Sequence, residues 1–261
     1  MDQYIFESKD FVSEVHTLKT GSYALASMQS PAKKTVNEDA CCFFSVSSKL
    51  NISVVCDGVG GSPNGNKASR LIVEKIKAAC LSKKKQKIRN AILDAIEDAN
   101  DAILKNDDGS LSTCVVAEIH PTWVRFYHCG DSMGLILNEQ GELIYYTVSH
   151  APLAYGLELG VERSQLQHIK NLVNNVVGST DLRIEMSAEI PLEKNDRIFL
   201  MSDGLSDNYK FTKLCKKLSK ATDLRSLLDD LKNETLERML SVEKREFGGP
   251  DDLTVVAYQT K

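Results

Sequence analysis

The sequence predicts an α+β domain built mostly from antiparallel sheet. Three observations carry that reading. Short apolar runs of strand character recur along the chain, the connections between successive runs are brief, and helical patterns come in pairs inserted between groups of strands.

Taken in order, "GSYALASMQ" (21–29) reads as a strand with weak alternation. "ACCFFSV" (40–46) and "NISVVC" (51–56) form a hairpin around the polar loop "SSKL". "KASRLIVEKIKAACLS" (67–82) and "KIRNAILDAIEDANDAILK" (87–105) carry apolar residues at helical spacing, and "NDDGS" ends the pair. The lysine run "KKKQK" (83–87) between them reads as a solvated bend. Four strands follow, "TCVVAEI" (113–119), "WVRFYHC" (123–129), "MGLILN" (133–138) and "ELIYYTV" (142–148), joined by "HP", "GDS" and "EQG" as a meander. Residues 149–178 are mixed in character. "RIEMSAEI" (183–190) and "DRIFLMS" (196–202) are strands, two helices span about 206–245, and "LTVVAYQ" (253–259) is the last strand.

The 261 residues contain six scattered prolines and no linker-like segment, which favours one domain. Residues 1–20 read as an N-terminal extension, with the domain at 21–261. A net charge of −4 argues against a nucleic-acid surface. Seven cysteines without a C-x-x-C read as small buried hydrophobes in a reducing compartment. No apolar run approaches the ~18 residues of a membrane span, and the N-terminus lacks a signal pattern, so a soluble cytoplasmic protein is expected.

The acids fall in a pattern. Asp57 ends the strand 51–56 in "CDGVGGS", Asp203 ends 196–202 in "MSDGLSDN", and Asp131 ends 123–129 in "HCGDSMG". Glu38 and Asp39 precede the strand 40–46, while Asp251 and Asp252 precede the last strand. Alone, Asp57-Gly58 reads as a turn. In an antiparallel pair, however, the end of one strand lies beside the start of its neighbour. The 40–46/51–56 hairpin therefore puts Glu38 and Asp39 beside Asp57, and Asp251 meets Asp203 if the last strand runs antiparallel to 196–202. Clustered carboxylates must hold protons or cations, and an all-oxygen set favours hard ions such as Mg²⁺ or Mn²⁺. Glycine after the acid permits close approach of a carbonyl or a phosphate.

The ordered set "NEDA", "CDGVGG", "HCGDSMG", "MSDGLSDN" and "GGPDDLTVV" resembles the metal-dependent protein serine/threonine phosphatases of type 2C, in the bacterial pattern, over residues 21–259. The resemblance implies a sandwich of two antiparallel sheets flanked by helical pairs on both faces, with a two-metal centre at one end. It implies that Asp57 bridges two ions, Mn²⁺ or Mg²⁺, that the Gly58 carbonyl binds one, and that Asp203 and Asp251 bind the other. Glu38 and Asp39 would act at the Gly58-side ion, and Asp131 would serve a third, weaker one. Phosphoserine and phosphothreonine would be hydrolysed by a bridging water activated between the ions. Expected partners are phosphorylated proteins and a serine/threonine kinase with its targets, in a signalling role. Lys34 stands where the family usually has arginine and is the candidate phosphate-binding cation; Val59 and Met133 replace a histidine and an arginine found in other members. Residues 149–178 fall at the family's flap, where Arg163, His168 and Lys170 could touch a substrate or simply face solvent.

Two other readings compete. A non-catalytic phosphoprotein-binding regulator on the same fold is kept open by Lys34. A serine hydrolase is suggested by "GDSMG", with Ser132 as nucleophile; that motif needs a following helix, and a hairpin follows here.

Overall fold

The computed structural model describes residues 2–82, 87–151, 174–220, 223–241 and 249–261. Its strands are β1 (Gln3–Phe6), β2 (Val12–Thr17), β3 (Gly21–Met28), β4 (Asp39–Ser47), β5 (Leu50–Asp57), β6 (Cys114–Ile119), β7 (Trp123–Cys129), β8 (Met133–Leu137), β9 (Leu143–Tyr146), β10 (Glu185–Met186), β11 (Ile190–Pro191), β12 (Arg197–Met201) and β13 (Leu253–Thr260). Its helices are α1 (Gly65–Cys80), α2 (Ile88–Asn106), α3 (Asp203–Ser206), α4 (Phe211–Lys220) and α5 (Leu224–Leu240). One sheet runs β1-β4-β5-β6-β7-β10, with β11 also on β7; the other runs β2-β3-β13-β12-β8-β9. Every pairing is antiparallel.

The two sheets face each other across a core of Tyr23, Leu25, Phe43, Val55, Phe126, Ile198 and Val256. The Tyr23 and Phe43 rings stack between the layers at 3.8 Å. Ile72, Ile76, Ile92 and Ile96 of α1 and α2 cover the outer face of the first sheet through Cys42, Val54 and Val116. Leu214, Leu218, Leu227 and Leu231 of α4 and α5 cover the second through Phe199, Met201 and Val255. Burial on both faces explains why "ACCFFSV" is a continuous apolar run: Cys41 and Phe43 face the opposite sheet, Cys42 and Phe44 face the helices.

Residues 1–20, read from the sequence as an extension, donate an edge strand to each sheet: β1 pairs β4 and β2 pairs β3. "RIEMSAEI" is two strands rather than one. Met186 faces Tyr127 and Ile190 faces Val124, so four steps on one side match three on the other. Ser187 absorbs the extra residue, its Oγ accepting from Phe126 N at 3.0 Å. The second helical region resolves into α3, α4 and α5, with residues 242–248 outside the described set. Among the described residues, no helix is long and apolar enough to cross a membrane.

Candidate metal centre

The register of the ladders assembles the acids. Asp39 and Asp57 are direct partners across β4 and β5. β12 lies between β13 and β8, with Met201 facing both Val255 and Met133. Asp203, just past β12, therefore has Asp251 on one side and Asp131 on the other. Hydroxyls tie the two sheets together at this edge. Ser202 Oγ donates to Asp39 Oδ2 at 2.8 Å, and Thr113 Oγ1 and Ser132 Oγ share a 2.6 Å bond. Thr113 Oγ1 also accepts from Asp57 N at 3.0 Å, and Asp57 O accepts from Thr113 N at 2.8 Å.

The glycines after the acids are packing requirements. A Cβ on Gly58 would collide with the Gly65 carbonyl carbon at the start of α1, and one on Gly204 with the Asp252 carbonyl oxygen. Each "DG" thus lets a second backbone come close to the acid.

The electrostatics are those of crowded carboxylates. Burial, reinforced by the Asp252 charge, pushes the Asp39 carboxyl up to about 7. Burial and the charge of Asp207 push Asp131 up to about 7 as well. Asp57 is raised well above the usual range by burial, then by Asp39, Asp203, Asp251 and Asp131. Asp203 is raised likewise by burial, then by Asp131, Asp207 and Asp251, and it lies within hydrogen-bond reach of Asp57. Two buried oxygens, Asp39 Oδ1 and Asp203 Oδ1, have no hydrogen-bond partner among the described residues. Buried acceptor oxygens without donors need a cation or shared protons. The all-oxygen donor set fits a hard divalent ion.

The second-sheet side differs. Lys33 Nζ lies 2.8 Å from Asp252 Oδ2, 3.0 Å from Asp251 Oδ1 and 3.2 Å from Glu38 Oε2. Burial alone would lower the Lys33 pKa, but the contacts with Asp252 and Asp251 outweigh it and raise it. Asp252 Oδ1 accepts from Ser30 N, and its Oδ2 from Glu38 N.

The structure thus brings together Glu38, Asp39, Asp57, Gly58, Asp131, Asp203 and Asp251. Lys34, the cation singled out from the sequence, is exposed, and its neighbour Lys33 points into the acids. Arg163, His168 and Lys170 lie outside the described residues. Ser132 is 1% exposed, bonds to Thr113 and leads into strand β8, so it has neither the exposure nor the following helix of a nucleophile elbow.

Sequence reasoning missed three features, the Lys33–Asp252 pair, Asp207 and His150. Lys33 and the anchoring role of Asp252 depend on how the 29–38 loop folds back. Asp207 stands four residues after Asp203 across a single helical turn, a spacing that does put both on one face. The third is His150, which holds the Gly130 backbone beside Asp131 from both sides. Its N–H donates to Gly130 O at 2.9 Å and its Nδ1 accepts from Gly130 N at 3.1 Å. His128, His150 and Glu185 lie close enough to suggest another ion site. Their bonds argue otherwise. With Nδ1 accepting, His150 Nε2 carries the proton toward Glu185 Oε1 at 3.0 Å, and His128 Nε2 donates to Val148 O at 2.9 Å. Burial holds both imidazoles below their ordinary pKa.

Comparison with solved structures places the architecture. Stp1 from Staphylococcus aureus, a serine/threonine phosphatase, superposes with a TM-score of 0.78 at 20% identity, covering 97% of this chain and 99% of that one. The S. agalactiae serine/threonine phosphatase gives 0.77 at 22% identity, over 96% and 100% of the two chains. The catalytic domain of the phosphatase PstP, in complex with 2 manganese ions, gives 0.72 at 22% identity, over 91% and 96%. No curated protein sequence matches this chain. The sequence profile described as protein phosphatase 2C matches residues 30–241, a span that runs from the Lys33 loop through α5. With that match over most of its length, on the four-layer fold of the bacterial enzymes, the chain belongs to the protein phosphatase 2C family.

Proposed function

We propose that this chain hydrolyses phosphoserine and phosphothreonine in proteins with the help of two divalent ions, Mn²⁺ or Mg²⁺. The observation that carries the reading is the pair of partnerless buried oxygens, Asp39 Oδ1 and Asp203 Oδ1, in a cluster whose carboxyls are driven to high pKa. In this reading Asp57 would help hold both ions, the Gly58 carbonyl would serve one, and Asp203 and Asp251 would serve the other. Glu38 and Asp39 support the Gly58 side, and Asp131 offers a carboxylate for a third ion. Bound there, such ions supply acidified water at neutral pH and neutralise charge on the phosphoryl oxygens.

The chain's own groups set the geometry. Thr113 and Ser112 fix the Asp57 backbone, with Ser112 Oγ donating to Asp57 O at 2.9 Å. Ser202 orients Asp39, and His150 holds the Gly130 turn that presents Asp131. Lys34, exposed three residues before Asn37, is the cation placed to meet a substrate phosphate, because Lys33 is taken by the acids. The substrates are then phosphoproteins, and the role is reversal of a serine/threonine kinase in the cytoplasm.

Purified protein should release phosphate from phosphoserine and phosphothreonine peptides with Mn²⁺, lose this in excess chelator, and regain it when Mn²⁺ or Mg²⁺ is restored. Full turnover in chelator would overturn the reading. Tight phosphopeptide binding with no turnover in either metal would favour a non-catalytic regulator.

A further inference from the structure

Lys33 touches three carboxylates at once, and they are not equivalent. Asp252 is 1% exposed and also accepts the Ser30 and Glu38 backbone N–H groups, so its carboxylate is held in place and a buried carboxylate there is served by a cation beside it. The Asp251 side chain is 43% exposed and accepts from Asp252 N at 2.8 Å, which leaves it room to turn. An ammonium held between a buried and an exposed carboxylate keeps the first and can exchange the second.

We propose that Lys33 is a resident counter-cation, anchored on Asp252, that competes with a divalent ion for Asp251 and so weakens ion loading on the Asp203–Asp251 side relative to the Asp57–Gly58 side. This rests on the metal-dependent reading above. An ion that takes Asp251 has to displace one charge-assisted hydrogen bond, while the ammonium stays with its shortest partner, Asp252, and the longer 3.2 Å contact to Glu38 yields with little loss. Lys33 thereby holds one half of the acid cluster together in the ion-free protein and makes loading sequential.

The test is a calorimetric Mn²⁺ titration of the full chain as wild type, Lys33→Gln, Lys33→Met and Lys33→Arg, each first checked for fold by circular dichroism. Lys33→Gln keeps a donor for Asp252 without the charge and guards against failure of Lys33→Met to fold. Loss of the competing contact should tighten the weaker class of sites roughly 10- to 100-fold in the Gln and Met variants, with the Arg variant near wild type. In an Asp251→Asn background, Lys33→Gln should shift affinity by no more than about twofold, because the exchanged carboxylate is gone. Unchanged or weaker Mn²⁺ binding in Lys33→Gln overturns the inference, as does full tightening in the Asp251→Asn background, which would signal general charge repulsion. Wild type that binds no Mn²⁺ overturns the metal-dependent function itself; wild type that binds Mn²⁺ without regard to Lys33 overturns only this inference.

Discussion

On the first-sheet side of the acid cluster, Asp39 and Asp57 face each other across a ladder and are met by hydroxyl and backbone groups such as Ser202 Oγ. On the second-sheet side, Asp251 and Asp252 begin β13 with the Lys33 ammonium at 3.0 and 2.8 Å. The same density of like charge is handled in two ways. Where a lysine is built in, the buried Asp252 is paired by the chain itself. Where only neutral donors meet the acids, Asp39 and Asp57 are driven to high pKa and depend on protons or an added cation. Asp203, which no lysine meets, behaves like Asp39 and Asp57 although it lies on the second sheet, and Asp251 is shared between the two regimes.

The largest expected effects come from neutralising one acid that no lysine meets and one that Lys33 pairs. Asp203→Asn should cut Mn²⁺-dependent turnover by about a hundredfold or more, since even outer-shell changes cost about 10- to 100-fold. In chelator the same variant should melt above wild type, because it removes a repelling carboxylate. Asp252→Asn should do the reverse, lowering the chelator melting point by the equivalent of about 3 kcal/mol as Lys33 loses its buried partner. Scanning calorimetry with the two variants side by side checks the opposite signs; equal signs would break the contrast.

Next is the pair of adjacent lysines. Lys34→Ala should reduce kcat/KM for a phosphopeptide roughly ten- to a hundredfold by removing a charge-assisted contact, and Lys34→Arg should retain or raise it. Mn²⁺ affinity should stay at the wild-type value in both, which separates Lys34 from Lys33.

The pH dependence of the ion-free protein sharpens the first-sheet half. Asp39 and Asp131 are raised to about 7 in the folded chain, so the folded state holds protons that the unfolded state releases. Their stabilising contribution is full below the ordinary carboxylate pKa and is lost as pH rises through about 7. Urea unfolding in chelator should give lower stability at pH 8 than at pH 5, and saturating Mn²⁺ should flatten or reverse that slope.

The smallest effects test whether close backbone packing sets the geometry on that side. Gly58→Ala, with its Cβ driven against the Gly65 carbonyl carbon, should cost about 1–3 kcal/mol. Gly60→Ala, with nothing within 4 Å, should stay within about 0.5 kcal/mol of wild type in denaturant unfolding.

The acid-bearing strand ends were legible because strand periodicity and short connections are local properties: a hairpin from Asp39 to Asp57 forces its ends together whatever surrounds it. The same logic located Asp131 and Asp203, whose strands are long apolar runs with a sharp acid-glycine or glycine-acid stop. The N-terminal strands were not legible, since "QYIF" and "VSEVHT" are short and take their hydrogen bonds from β4 and β3.

By itself, then, the sequence determined the order of the strands from β3 to β9, of β12 and β13, and of the helical pairs, together with the polarity that gathers the carboxylates at one edge and their oxygen-only character. The tertiary structure alone decided that Lys33 rather than Lys34 turns inward, that Asp252 anchors it, and that His150 and Ser202 brace the acids from elements distant in the chain. The reason is physical. Backbone pattern and turn chemistry act over a few residues, whereas the direction of a loop lysine is set by charges that meet only when both sheets have closed.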